Sequence, residues 1–282
     1  MGAVYFEYEK LCKTNKVAVF SSNYGLYGDM SNRVMCTLRK FSPDVEVYSI
    51  DEAFMRLDML GEEDLVKFCT NLREKIRLWT GLPVTIGIGH SKTLAKVANH
   101  YAKKNGLPVF DIRDSQIQMD ILQKLEVSDV WGIGRRIAAR LQTMGIDQAL
   151  KFREANPKLI RKQFGVVGEK IVYELNGLSC IDLEVTSDPK KNIVSAKSFG
   201  RPLTELKEVE EALAHYTAMT CMKMRAQGSK LHGICVFVET NYYIEKENFY
   251  RNSSSFYFDQ ATADTRQIIN YANRCLTNLS FA

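Results

Sequence analysis

The sequence predicts an α+β protein made of two α+β units with an all-helical segment between them. Three observations carry this. Over residues 43–58 apolar and polar side chains alternate on either side of an acidic tip, the pattern of two half-buried strands. From Met119 to Gly177 the apolar spacing turns helical, broken at Gly132, Gly134, Gly145, Pro157 and Gly165, with no strand pattern. From Ile193 onward alternation returns around a long helical stretch.

Taken in order, Met1–Lys16 sets Tyr5, Phe6, Tyr8 and Leu11 among charges and reads as one short helix, and Val17–Phe20 reads as extended. Met30–Phe41 reads as a helix, with Val34, Leu38 and Phe41 at helical spacing, Asp29 or Ser31 as cap, and Pro43 closing it. The strands flanking Asp51 and Glu52 follow. Gly61-Glu62-Glu63-Asp64 opens the next helix, its acids favouring the positive end of the dipole. Leu65, Phe68, Leu72, Ile76 and Trp79 line one face of it as core, and Gly81 ends it. Leu82–Gly89 is a strand with little room for side chains near its end. Ser91 caps a helix over Lys92–Lys104, which Gly106 stops.

The order helix, strand, strand, helix, strand, helix is that of a ferredoxin-like sandwich with its first strand missing. That strand would lie between Ala53–Asp58 and Val84–Gly89. Ser179–Asn192 is polar and reads as a linker. Then come a strand over Ile193–Phe199, a helix over about Glu205–Gln227 with Met219 and Met222 in the core, and a strand over Leu231–Thr240. A strand near Phe256–Phe258 and a helix from Thr262 to about Leu279 finish the chain.

Composition is that of globular protein: 282 residues, 45% hydrophobic and 25% charged, long enough for more than one core. A net charge of +5 permits nucleic-acid binding without establishing it. The 7 cysteines form no C-x-x-C pair, which argues against zinc and fits reduced thiols in a cytoplasmic protein. No apolar run reaches the roughly 18 residues of a membrane helix.

The chemistry-bearing residues start with Asp51 and Glu52. Two carboxylates at a hairpin tip suit a hard divalent cation if the chain bends there; a solvated turn is the plain alternative. Lys92, Lys96 and Lys103 recur along one side of an acid-free helix, as triphosphate contacts or as a solvated basic face. Gly132 and Gly134, followed by Arg135 and Arg136, make either a phosphate-holding helix N-terminus or an ordinary interhelical turn. Trp131 reads as a core anchor rather than a stacking platform. Ser195, Lys197 and Phe199 share one strand face, and Arg201 follows. The aromatics Tyr242, Tyr243, Phe249, Tyr250, Phe256 and Tyr257 read as packing before base stacking.

Ser49-Ile50-Asp51-Glu52-Ala53-Phe54 resembles the second carboxylate motif of Y-family translesion DNA polymerases. Phe20–Met35, Lys92–His100 and Asp129–Arg136 resemble the UmuC type of that family in the same order. The resemblance spans nearly the whole chain. It implies residues 1–19 as a remnant of the fingers, 20–115 as the palm, 116–187 as a helical thumb with a helix–hairpin–helix, and 188–282 as a little finger without its last strand. It implies metal-dependent nucleotidyl transfer on damaged primer–template DNA in translesion synthesis and the SOS response. Asp51 and Glu52 would be two of three ligands for Mg²⁺, with two ions in the complete enzyme.

Lys103, and with less support Lys92, would meet the deoxynucleoside triphosphate. Gly132, Gly134, Arg135, Arg136, Ser195, Lys197 and Arg201 would meet DNA backbone. Implied partners are a UmuD-type subunit, the RecA filament and the sliding clamp, with no membrane. No segment matches the family's first metal-ligand Asp, its steric-gate motif or its Tyr/Arg triphosphate pair. A DNA-binding chain without polymerase activity is therefore the rival reading. A nucleotidyl cyclase fails on the helix–hairpin–helix and on the second α+β unit.

Overall fold

In the computed structural model, residues 4–58, 65–186, 189–201, 203–241 and 249–279 are described. The helix-opening Gly61–Asp64 and the pair Tyr242 and Tyr243 lie outside them. The chain divides into two units, Met1–Ser187 and Asp188–Ala282. Its mixed helix and sheet is the α+β class that the sequence predicts.

In the first unit, α1 (Tyr5–Thr14) buries none of its residues. Val17–Phe20 forms no strand, and Val17, Val19 and Phe20 are exposed. An extended run becomes a strand only where a neighbouring edge takes up its hydrogen bonds. Helix α2 (Tyr24–Arg39) starts well before the predicted Met30. Its cap is Asn23, not Asp29 or Ser31: the Asn23 side chain accepts the Leu26 N–H at 3.1 Å. Gly25 and Gly28 weaken a helix by only about 1 kcal/mol each, so they do not stop this one.

β1 (Val45–Val47) and β2 (Ala53–Met55) pair antiparallel, with Val45 opposite Met55 and Val47 opposite Ala53. Helix α3 (Leu65–Thr80) buries Leu65, Cys69, Leu72 and Ile76. Trp79 departs from the expected core position and is 48% exposed. It sits in the last turn, beyond the buried stripe, against Phe41 at 6.1 Å between ring centres and below Lys40 Nζ at 5.1 Å.

β3 (Ile86–Ile88) runs parallel to β4 (Val109–Asp111), a strand too short to show alternation in the sequence. Among the described residues no strand joins β2 to β3. α4 (Lys92–Lys104) lies directly on β3. A Cβ on Gly87 would stand 2.3 Å from the Ala95 carbonyl oxygen, and one on Gly89 would stand 2.7 Å from the Ala95 nitrogen. Only glycine allows that approach, and it fixes where the α4 lysines project. Ser91 caps α4 as predicted, its Oγ accepting the Leu94 N–H at 3.2 Å.

Four helices follow: α5 (Ser115–Lys124), α6 (Arg135–Thr143), α7 (Ala149–Arg153) and α8 (Pro157–Leu175). α8 is kinked at Gly165, where φ is +74°. Their core is continuous with α4: Leu94, Val97 and Ala98 pack in one cluster with Leu122, Leu141, Phe152 and Ile171.

In the second unit, β5 (Leu231–Glu239) and β6 (Arg251–Thr262) pair antiparallel and pack with α9 (Leu206–Ala226) and α10 (Thr265–Thr277). Val236, Ala272 and Leu276 form one cluster, and Cys221, Met224, Phe258 and Ile268 another. Phe256 stacks on Tyr271 at 4.1 Å, while its neighbour Tyr257 projects to the opposite face and is exposed. Two expectations are corrected. Met219 and Met222 are exposed rather than core, because α9 turns Thr217, Cys221 and Met224 inward. Ile193–Phe199 is not a strand: Ile193 packs on the core, but Val194 and Phe199 are exposed and no ladder takes up the backbone.

Candidate metal and nucleic-acid site

Asp51 and Glu52 sit in the turn that joins β1 to β2. Two hydrogen bonds close this turn: the Tyr48 and Ser49 N–H groups both donate to the Glu52 carbonyl, at 3.1 and 3.0 Å. The chain therefore leaves strand geometry at the acids. Ser49 Oγ donates to Asp51 Oδ1 at 2.7 Å and accepts the Asp51 N–H at 3.3 Å. Asp51 is exposed and Glu52 half-buried. Lys96 Nζ lies 2.5 Å from Glu52 Oε1, so an ammonium already stands on that carboxylate.

Lys92, one helical turn before Lys96, is buried in a different setting. Its ammonium pairs with the Glu46 carboxylate and donates to the Asp182 carbonyl at 2.6 Å. Glu46 also accepts the Glu184 N–H at 2.9 Å. Lys103 is exposed in the last turn of α4.

At the N-terminus of α4 an anion is built in. The fully buried Glu174, from α8, accepts the Thr93 N–H at 3.0 Å and the Cys180 and Ile181 N–H groups at 2.7 and 3.1 Å. The carboxylate thus occupies the position where a helix N-terminus would otherwise attract phosphate. Sequence reasoning missed Glu174, Glu46 and the Lys96–Glu52 pair. A glutamate carries no mark of burial in the sequence, and the contacts that reach Glu46, Glu52 and Glu174 from α4 span more than 40 residues each.

Gly132, with φ at +87°, makes the predicted tight turn, and Gly134 caps α6 with no side chain on the helix N–H groups. Nothing stands within 4 Å of a Cβ position at Gly134, and Arg135 and Arg136 are exposed beside it. This open N-terminus can receive a phosphate. Trp131, the residue before the turn, packs against Tyr48 and Phe54, both at 5.5 Å between ring centres, and its Nε1–H donates to Tyr48 Oη at 3.1 Å. In the second unit Ser195 is half-buried and Lys197 exposed, and Arg201 pairs with Glu208.

Three family descriptions match the chain in order: the impB/mucB/samB family over residues 1–100, its helix–hairpin–helix motif over 117–146, and its C-terminal domain over 190–281. Protein UmuC of Salmonella typhimurium strain LT2 is 40% identical over 284 residues, 99% of this chain and 67% of UmuC. The chain belongs to the impB/mucB/samB family. It is a UmuC-type member of the Y-family translesion DNA polymerases. Protein SamB of Salmonella typhimurium is also 40% identical, over 286 residues, again 99% of this chain and 67% of SamB. DNA polymerase IV of Moorella thermoacetica is 31% identical over 210 residues, 73% of this chain and 51% of that enzyme.

Among solved structures, a Dbh–Dpo4 chimera described as a Y-family DNA polymerase has the same fold, with a TM-score of 0.68 at 23% identity. The match covers 95% of this chain and 75% of the chimera. No helix among the described residues is long and apolar enough to cross a membrane.

Proposed function

We propose that the chain carries the carboxylate turn and DNA-gripping surfaces of template-directed nucleotidyl transfer past DNA lesions. In this reading residues 20–115 are the palm, 116–187 the thumb and 188–282 the little finger. The observation that carries it is the Asp51–Glu52 turn, held off strand geometry and flanked by the lysine face of α4. Its donors fit a hard divalent cation: they are carboxylate oxygens, one open to solvent and the other already holding a cationic group. Asp51 and Glu52 would hold Mg²⁺. When bound, it would supply the charge that lowers the pKa of a primer 3′-hydroxyl and steadies phosphate oxygens.

The residues of the chain do the rest. Lys103 places a point charge for triphosphate oxygens, with Lys96 closer to the acids. Lys92 holds Glu46 and so the root of the hairpin. Gly132, Gly134, Arg135 and Arg136 hold a DNA phosphate without reading sequence, and Ser195, Lys197 and Arg201 lie along duplex backbone. A UmuD-type subunit, a RecA filament and the sliding clamp are the partners this reading implies, in the cytoplasm during the SOS response.

Fluorescence anisotropy with a primer–template over a salt series tests the DNA half. Affinity should fall steeply with salt, and Arg135→Ala with Arg136→Ala should lower it on every sequence and reduce the salt slope by about two. A flat salt response would overturn it. Primer extension in Mg²⁺ tests the other half: extension abolished by Asp51→Ala or Glu52→Ala supports it, and DNA binding without extension selects the non-polymerase reading.

A further inference from the structure

We propose that Trp131 is a positioning residue that couples the phosphate-gripping turn at Gly132–Gly134 to the acidic turn at Asp51–Glu52. This deepens the proposed function and rests on it. The sequence reads Trp131 as a core anchor, yet the structure leaves it half-buried, packed on the two aromatic residues that bracket the acids. Tyr48 precedes the turn and Phe54 follows it, and their rings meet each other at 5.6 Å.

Each link from ring to acid is fixed. Trp131 holds the Tyr48 hydroxyl through its indole N–H. The Tyr48 backbone N–H, together with that of Ser49, holds the Glu52 carbonyl. Lys96 Nζ stands 5.8 Å from the Tyr48 ring centre while it pairs with the Glu52 carboxylate. On the other side, Trp131 is joined to Gly132, whose Cβ position lies only 2.9 Å from Ile171 Cδ1, against the helical core. A shift of the Gly132–Gly134 turn onto a phosphate must therefore move or stiffen the Trp131 ring, and with it the turn that carries the acids. This is a chain of packed groups with a hydrogen bond at its centre, the kind of path along which coupling is carried.

The test is amide hydrogen exchange on the full chain, with and without saturating primer–template DNA. The Tyr48 and Ser49 amides are the reporters, because they close the acidic turn. DNA should slow their exchange by about fivefold or more, the lower end of usual coupling between sites. In Trp131→Leu the slowing should drop below about twofold although DNA still binds. Trp131→Phe and Tyr48→Phe both remove the hydrogen bond and keep an aromatic ring at each position, so both should show intermediate slowing. Protection of the Leu94–Ala98 amides reports whether each variant is folded. If Trp131→Leu loses that protection, the phenylalanine pair decides, and full slowing in both overturns the proposal. DNA binding with no change at Tyr48 and Ser49, or slowing that persists in folded Trp131→Leu, also overturns it while leaving the DNA-binding reading intact. Failure of the wild-type chain to bind DNA overturns both.

Discussion

Two acid–lysine pairs join the same hairpin to the same helix, and they differ in what surrounds them. Glu46 and Lys92 meet at the root of the hairpin with side chains 10% and 8% exposed, and both make further hydrogen bonds to the 182–184 segment. Glu52 and Lys96 meet at its tip with side chains 31% and 23% exposed, beside the exposed Asp51. One turn of α4 separates a pair closed off from water from a pair partly open to it. The same two residue types meet a high desolvation cost where water is excluded and a lower one where it is not.

The sharpest way to break this comparison is to remove one partner of the inner pair. Lys92→Ala leaves Glu46 buried without its counter-ion and should destabilise the first unit by about 3–5 kcal/mol in urea unfolding. A loss below 1 kcal/mol would show that the inner pair is no more structural than the outer one. Glu174→Gln comes next. It keeps the shape of the side chain but removes the charge that three N–H groups share, and should cost about 1.5–3 kcal/mol in the same experiment.

Lys96→Ala should change stability by no more than about 1 kcal/mol, since this pair is partly exposed and so partly screened. Its effect should fall on the metal instead. Freeing Glu52 from an ammonium should tighten Mn²⁺ binding about two- to fivefold by isothermal titration, the equivalent of a weak ion pair. Weaker binding would mean that Lys96 orients Glu52 rather than competing for it.

How much of this was legible in the sequence differs between the two pairs. The outer acids announce themselves, because Asp51-Glu52 interrupts an alternating pattern. The inner Glu46 does not, because it lies within that pattern and reads as the polar face of a strand. The strand–helix contact was legible in Gly87 and Gly89, and the cap in Ser91, since both are local demands on residue type. Helix α2 begins before its apolar spacing at Val34, Leu38 and Phe41 sets in, because Asn23 supplies the cap. The alternation over Ile193–Phe199 does not become a strand, because alternation records a preference and a ladder also needs a neighbour. Met219 and Met222 lie outside the core for a similar reason: apolar residues show how much a helix could bury, not which stripe faces its neighbours.

The central claim is that the Asp51–Glu52 turn is the divalent-cation site, and paramagnetic broadening tests it most directly. In amide spectra of the full chain, Mn²⁺ at low equivalents should broaden residues 49–53 first. Asp51→Ala and Glu52→Ala should each abolish that broadening while leaving the amides of Leu141 and Phe152 in the helical core unchanged. Broadening centred elsewhere, or unchanged broadening at 49–53 in both variants, would contradict the account.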